Sequence, residues 1–149
     1  MNRRHFGALL LGALFALAPW FASAENSTQY GEFVIHHNAF NASIIQPAVA
    51  QQHGIVRSRY QAILNVSVVR QIPGTLGESV PARVSGTATQ LGGVVFPLEF
   101  REVREGDAVY YLAEFRVDNE QTLNFELQVK PAGSTGAAQV RFTQQFFTE

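Results

Sequence analysis

The chain is 149 residues long, nearly half hydrophobic, with eleven basic residues, twelve acidic ones and no cysteine. That length fits one domain with a real core, and the near-neutral charge offers no basic face for nucleic acid. The lack of cysteine excludes disulfide staples, thiolate catalysis, cysteine-based zinc sites and a lipid-bearing cysteine.

Met1 to Ala24 has a basic start (Arg3, Arg4), an apolar run from Phe6 to Phe21, and Ala22-Ser23-Ala24. This is the layout of a secretory signal peptide cleaved after Ala24, which leaves residues 25–149 as the mature domain. A retained membrane anchor fits less well, because Pro19 interrupts the run and a span needs about 20 apolar residues. Arg3-Arg4 also resembles a twin-arginine signal, but the very apolar run suits ordinary unfolded (Sec-type) export better. Without Arg3 and Arg4 the chain keeps nine basic residues against twelve acidic ones, a charge of about −3. A cysteine-free exported domain points to a bacterial periplasm, with no membrane span once the leader is removed.

Glu25 to Gln29 is a polar lead-in, expected to fray. Tyr30 to Phe40 is a first strand with apolar residues on both sides, so its pattern leaves the buried face undecided. Pro47 suits a first helical position and Gly54 the left-handed residue beyond a helix end, so Ala48 to Gln52 makes one short helix that must dock on a sheet. Arg57 to Arg70 is a second strand with Tyr60, Ala62, Leu64, Val66 and Val68 on its core face. After the loop Ile72 to Gly77, Val80 to Ala88 is a weaker strand in which Gly86 marks a bulge or a close backbone approach.

Val94 to Phe115 is the centre of the pattern. Val94, Phe96, Leu98 and Phe100 alternate on one strand, and Val109, Tyr111, Ala113 and Phe115 on the next. Arg104-Glu105-Gly106-Asp107 reverses the chain between them, and Pro97 places its strand at an edge or a bulge. Asp118-Asn119-Glu120 is a further turn. Leu123, Phe125, Leu127 and Val129 alternate strictly with polar residues, and Val140 to Phe146 closes the set. The expected architecture is all-β: an antiparallel immunoglobulin-like sandwich of about seven strands, with one short helix after the first strand.

Several segments resemble a bacterial exported family catalogued as a domain of unknown function, DUF 4426. They are His37-Asn38-Ala39-Phe40-Asn41, Gly54 to Tyr60, Asn65-Val66-Ser67-Val68, Ser85-Gly86-Thr87-Ala88, Phe100 to Tyr111, and Phe142-Thr143-Gln144-Gln145-Phe146. Gln90-Leu91 departs mildly from the asparagine and leucine that members tend to carry after the Thr-Ala-Thr run. The resemblance covers nearly all of the mature chain. It implies a periplasmic location and brings no activity, cofactor or catalytic residue.

Among residues that could carry chemistry, neutral imidazoles make His36, His37 and His53 candidate metal ligands. Neighbouring strand residues point to opposite faces, so only one of His36 and His37 can join His53 and a carboxylate on one ion. The plainer reading is one buried histidine and two solvated ones. Arg57 and Arg59 would share a strand face and suit a carboxylate or phosphate. The plainer expectation is internal pairing with acids such as Glu99, Glu102, Glu105 or Glu114. Tyr110 and Phe147 are candidate partner contacts, whereas Tyr111 and Phe146 belong in the core. Asn65-Val66-Ser67 matches a glycosylation triplet by chance, since Asn65 falls within a strand.

Ser43, Ser58, Ser67 and Ser85 sit in no Gly-x-Ser-x-Gly elbow, and no glycine loop is built for phosphate. No catalytic residue or cofactor is therefore assigned. The reading that follows is a periplasmic, non-enzymatic binding module contacting another envelope protein. A metal-binding protein using His36 or His37 with His53 is the alternative, and a hydrolase of unrecognised type the third.

Overall fold

The computed structural model describes residues 26–149. The expected export leader and its expected cleavage after Ala24 lie outside them. Two antiparallel sheets face each other. The first contains β1 (Ser27–Tyr30), β2 (Phe33–Asn41), β3 (Gln61–Arg70), the two-residue β4 (Glu78–Ser79), β7 (Phe100–Glu105) and β8 (Ala108–Arg116). Its strand order is β1-β2-β3-β8-β7, with β4 continuing beside β3 at Val69↔Ser79 and Arg70↔Glu78. The second runs β10-β9-β5-β6, from β5 (Ala82–Gln90), β6 (Val95–Leu98), β9 (Gln121–Pro131) and β10 (Ala138–Phe146).

Ten strands replace the expected seven, for local reasons. Ser27 to Gln29 of the polar lead-in do not fray: with Tyr30 they pair with β2 as β1, from Ser27↔His36 to Tyr30↔Phe33. The strand expected from Val94 to Arg101 is two strands in different sheets. β6 pairs with β5 and β7 with β8, so the chain crosses the sandwich at Glu99. Pro97 sits on β6, an edge strand where its missing N–H breaks no ladder. The turn after β7 is tight, with Glu105 opposite Ala108 and Gly106 at φ 56°, a conformation that a Cβ would strain.

Alternation decides the buried face of β2. Phe33, Ile35, His37 and Ala39 point inward, and His36 and Asn38 outward. Facing them across the core are Leu123, Phe125, Leu127 and Val129 of β9, all 2% exposed or less. Phe125 is the hub: Phe142 stacks on it at 4.7 Å, and Phe115 and Phe146 meet its ring at 5.6 Å and 6.3 Å. Such tilted and offset contacts suit the ring quadrupole and add to simple burial. Gly86 is a close approach. A Cβ there would lie 2.5 Å from the Glu126 carbonyl oxygen and 2.6 Å from Leu127 Cδ2.

The first sheet is apolar on its outer face as well. Ile63 and Leu112 are covered by Ala42, by Ala50 of the helix α1 (Pro47–Gln52) and by Ile55. Pro47 is the first helical residue, and Gly54 beyond the helix end has φ 64°. β3 begins at Gln61, not Arg57, so Tyr60 leaves the core set and is 43% exposed.

Candidate functional site

The docked helix leaves part of the outer face open. Between α1 and strands β2, β3, β7 and β8 lies a pocket of about 270 Å³. Phe40, Ile63, Leu112 and Tyr110 form its strand side, and Ile45 and Val49 its helix side. These positions alternate with the core residues of the same strands, so one period-two pattern fills the interior and lines the pocket.

Two contacts hold the helix end against β7. His53 Nε2 lies 2.7 Å from Glu105 Oε1, and Arg101 Nη2 donates to the His53 carbonyl at 2.6 Å. The His53 side chain is 13% exposed and that of Glu105 49%, so the pair forms a polar rim at the mouth. Arg57 braces the opposite wall: its Nε donates to the Ile45 carbonyl at 2.7 Å and its Nη2 to the Ser43 carbonyl at 3.1 Å. A six-residue helix is unstable alone, so these contacts and Ala50 set the width of the pocket.

Asn65 lies where this pocket meets a polar hollow containing His36, Asn38 and Ser67. Its Oδ1 is buried without a hydrogen-bond partner. An unpaired buried carbonyl costs about 1–3 kcal/mol, which makes the position unusual in a folded domain. The wider hollow over the second sheet, lined by Ser85, Thr87, Glu126, Gln128 and Arg141, is a polar strand surface with no unpaired buried group.

The histidine candidates separate. His36 is exposed on the outer face, His37 is buried in the core, and His53 is engaged with Glu105. Among the described residues, no three His, Asp or Glu side chains come together as a ligand set. His37 stacks on Phe142 at 4.4 Å with Nδ1 unpartnered. Burial, and secondarily the neighbouring His36, pushes its pKa below the usual imidazole value.

The two arginines do not share a strand face, because both precede β3. Nor, among the described residues, do they pair with acids. Among the described residues, Glu114 pairs with Arg101 and Glu102 with Arg104, while Arg57 binds carbonyls and Arg59 lies 5.2 Å above the Tyr60 ring. Tyr110 lines the pocket. Phe147 is 56% exposed beyond β10, at the end of the sandwich where Arg59 also lies. Asn41 Nδ2 joins these last two by donating to the Arg59 carbonyl at 2.7 Å and the Phe147 carbonyl at 3.1 Å. Tyr111 is core, and its hydroxyl accepts from the Ala82 N–H at 2.8 Å. Its burial raises the phenol pKa.

Of the pocket lining, Tyr110 and His53 were legible as candidates from the sequence, whereas Asn65 and the apolar walls around them were not. The available signal was Phe40, Ile63 and Leu112, apolar residues on the face opposite the core set.

The family profile described as a domain of unknown function, DUF4426, matches residues 27–149. The chain belongs to the DUF4426 family. A crystal structure of a family protein from Pseudomonas aeruginosa PAO1 is 36% identical, with a TM-score of 0.71, and the match covers 87% of this chain and 99% of that one. Copper-bound FetP, a variant from uropathogenic Escherichia coli strain F11, is 15% identical with a TM-score of 0.57, covering 83% and 95% of the two chains. As-isolated FetP of the same strain, expressed in the E. coli periplasm, gives 13% and 0.52, covering 80% and 90%. At such identities FetP shares the fold alone. No curated protein matches the chain. No helix among the described residues is long and apolar enough to cross a membrane.

Proposed function

We propose that this family member is a non-enzymatic binding module of the bacterial periplasm, and that it captures an apolar side chain of another envelope protein in the pocket beside α1. The observation that carries this reading is the pocket itself. It is apolar, braced at both walls by hydrogen bonds, and rimmed by His53 and Glu105. Pockets of this kind, with a few polar groups at an apolar site, are where proteins bind. The leader-like start of the chain supports the location. The test replaces Tyr110 with a photoreactive phenylalanine in living cells. A single crosslinked envelope protein is the expected result, and labelling of the chain without any partner contradicts the reading.

Metal capture is the second reading. His53 and Glu105 already place an imidazole and a carboxylate together, and the distant fold relative FetP has been seen with copper. Titration of the untagged protein with Cu(II) and Zn(II), repeated on His53→Ala, decides it: a stoichiometric ion lost in the variant supports metal capture.

A further inference from the structure

The pocket beside α1 is one end of a longer groove on the outer face of the first sheet. Along β2 and β3 the residues that face away from the core pair as rungs: Phe40↔Ile63, Asn38↔Asn65, His36↔Ser67 and Val34↔Val69. The end rungs are apolar and the two between them are polar. Three hollows run over this ladder. The pocket shares Asn65 with the polar hollow, and the polar hollow shares His36 with a third, which holds Val34, Val69 and the exposed Leu76. The shared residues make the hollows continuous. Ile63 to Val69 spans six residues, about 20 Å at the rise of a strand.

Asn65 decides what class of molecule suits this groove. It is half-buried at the junction of the first two hollows, and its Oδ1 has no hydrogen-bond partner. The last bond of an asparagine side chain turns easily, so the carboxamide can offer the groove both an acceptor and a donor. The N–H and C=O groups of an extended peptide match these two. A helix keeps its backbone groups for itself, and an acyl chain has none. The middle hollow is lined by amides, imidazoles and a hydroxyl, with no carboxylate, lysine or arginine. At the near end, a cavity of about 150 Å³ is enough to take benzene. The pocket of about 270 Å³ therefore admits a phenyl ring.

We infer that the captured segment is an extended, uncharged stretch of about seven residues that lies along β2 and β3, with large apolar side chains at both ends and its backbone paired with Asn65. This rests on the reading of the pocket as a capture site, and adds the shape and chemistry of what is captured. In an extended chain every second side chain faces the same way. The first and seventh then reach the apolar rungs, and the third and fifth lie over Asn38–Asn65 and His36–Ser67. An unpaired carbonyl lowers the stability of the free protein, and the peptide N–H removes that cost on binding.

The probe is a blocked heptapeptide, Phe-Ala-Ser-Ala-Ser-Ala-Leu, together with its reverse sequence. Each is titrated into isotope-labelled protein, residues 25–149, and followed by amide chemical shifts. One of the two should bind with a Kd below about 1 mM and shift Val49, Asn65, Ser67 and Val69 together. Asn65→Leu weakens binding about fivefold with no loss of stability in urea, which separates recognition from folding. Leu76→Ser, at the far end, weakens it about threefold, and Phe147→Ser, outside the groove, leaves it unchanged. Shifts confined to the pocket, with Asn65→Leu and Leu76→Ser both at wild-type affinity, overturn the inference and leave the capture of a single apolar side chain standing. Octanoate shifting these amides when neither peptide does overturns it in favour of an acyl chain. No shift of the pocket lining by any of the three probes at about 10 mM overturns the inference and the capture reading together.

Discussion

His37 gives the core a built-in acid sensitivity. It is 6% exposed, its ring lies 4.4 Å from Phe142, and Nδ1 has no partner. Burial lowers its folded pKa, so in the acidic range the unfolded chain binds a proton that the folded chain resists. Stability attributable to this residue is therefore complete above the unfolded value of about 6.5 and falls as the pH drops toward the folded value. The slope is at most one proton, about 1.4 kcal/mol per pH unit. His37→Phe keeps an aromatic ring against Phe142 and removes the titrating nitrogens. Removing a buried unpaired nitrogen also relieves about 1–3 kcal/mol, which offsets the strain of the slightly larger ring. Urea unfolding followed by far-ultraviolet circular dichroism, from pH 8 to pH 5, measures both. The variant should be as stable as the wild type at pH 8 and lose less stability on acidification. Equal pH slopes in the two proteins, or a wild type that gains stability below pH 6.5, would refute the argument.

Other substitutions test the packing. Phe125→Ala removes the ring that Phe115, Phe142 and Phe146 contact, and should cost about 3–5 kcal/mol in the same urea assay. Gly86→Ala forces a Cβ onto the Glu126 carbonyl and Leu127, so a loss of about 1–3 kcal/mol is expected; an unchanged midpoint would show that β5 and β9 can part there. Asn65→Leu removes a buried carbonyl that has no partner, so the variant should match or exceed wild-type stability, and a loss above about 2 kcal/mol would mean that the amide is satisfied.

The β-sandwich was legible because alternation is a local signal. β9 reads directly from Leu123, Phe125, Leu127 and Val129, and the β7–β8 turn from Gly106. The crossing at Glu99 was not legible. Val94 to Arg101 alternates without a break, and only the partner strands reveal that β6 and β7 belong to different sheets. Pairing likewise decided β1, a polar segment that is a strand because the edge of β2 accepts it. The site was legible in fragments. Alternation separated His36 from His37, and the short helix had to dock somewhere. That it docks on the outer face, with His53 against Glu105 of β7, depends on 52 residues of sequence separation that no local pattern encodes. Arg57 was misplaced because its segment looks extended, while its guanidinium is taken by the carbonyls of Ser43 and Ile45.

If the pocket beside α1 binds another envelope protein, a probe within it must contact that protein in the cell. Crosslinking from position 110 in cells, compared between the wild type, Val49→Asp and Val56→Asp, measures this. Val49 lines the pocket at 40% exposure, and Val56 is 71% exposed outside its lining, so both substitutions leave the core intact. One adduct that disappears with Val49→Asp and persists with Val56→Asp is the predicted result. An adduct equally strong in all three proteins would contradict it.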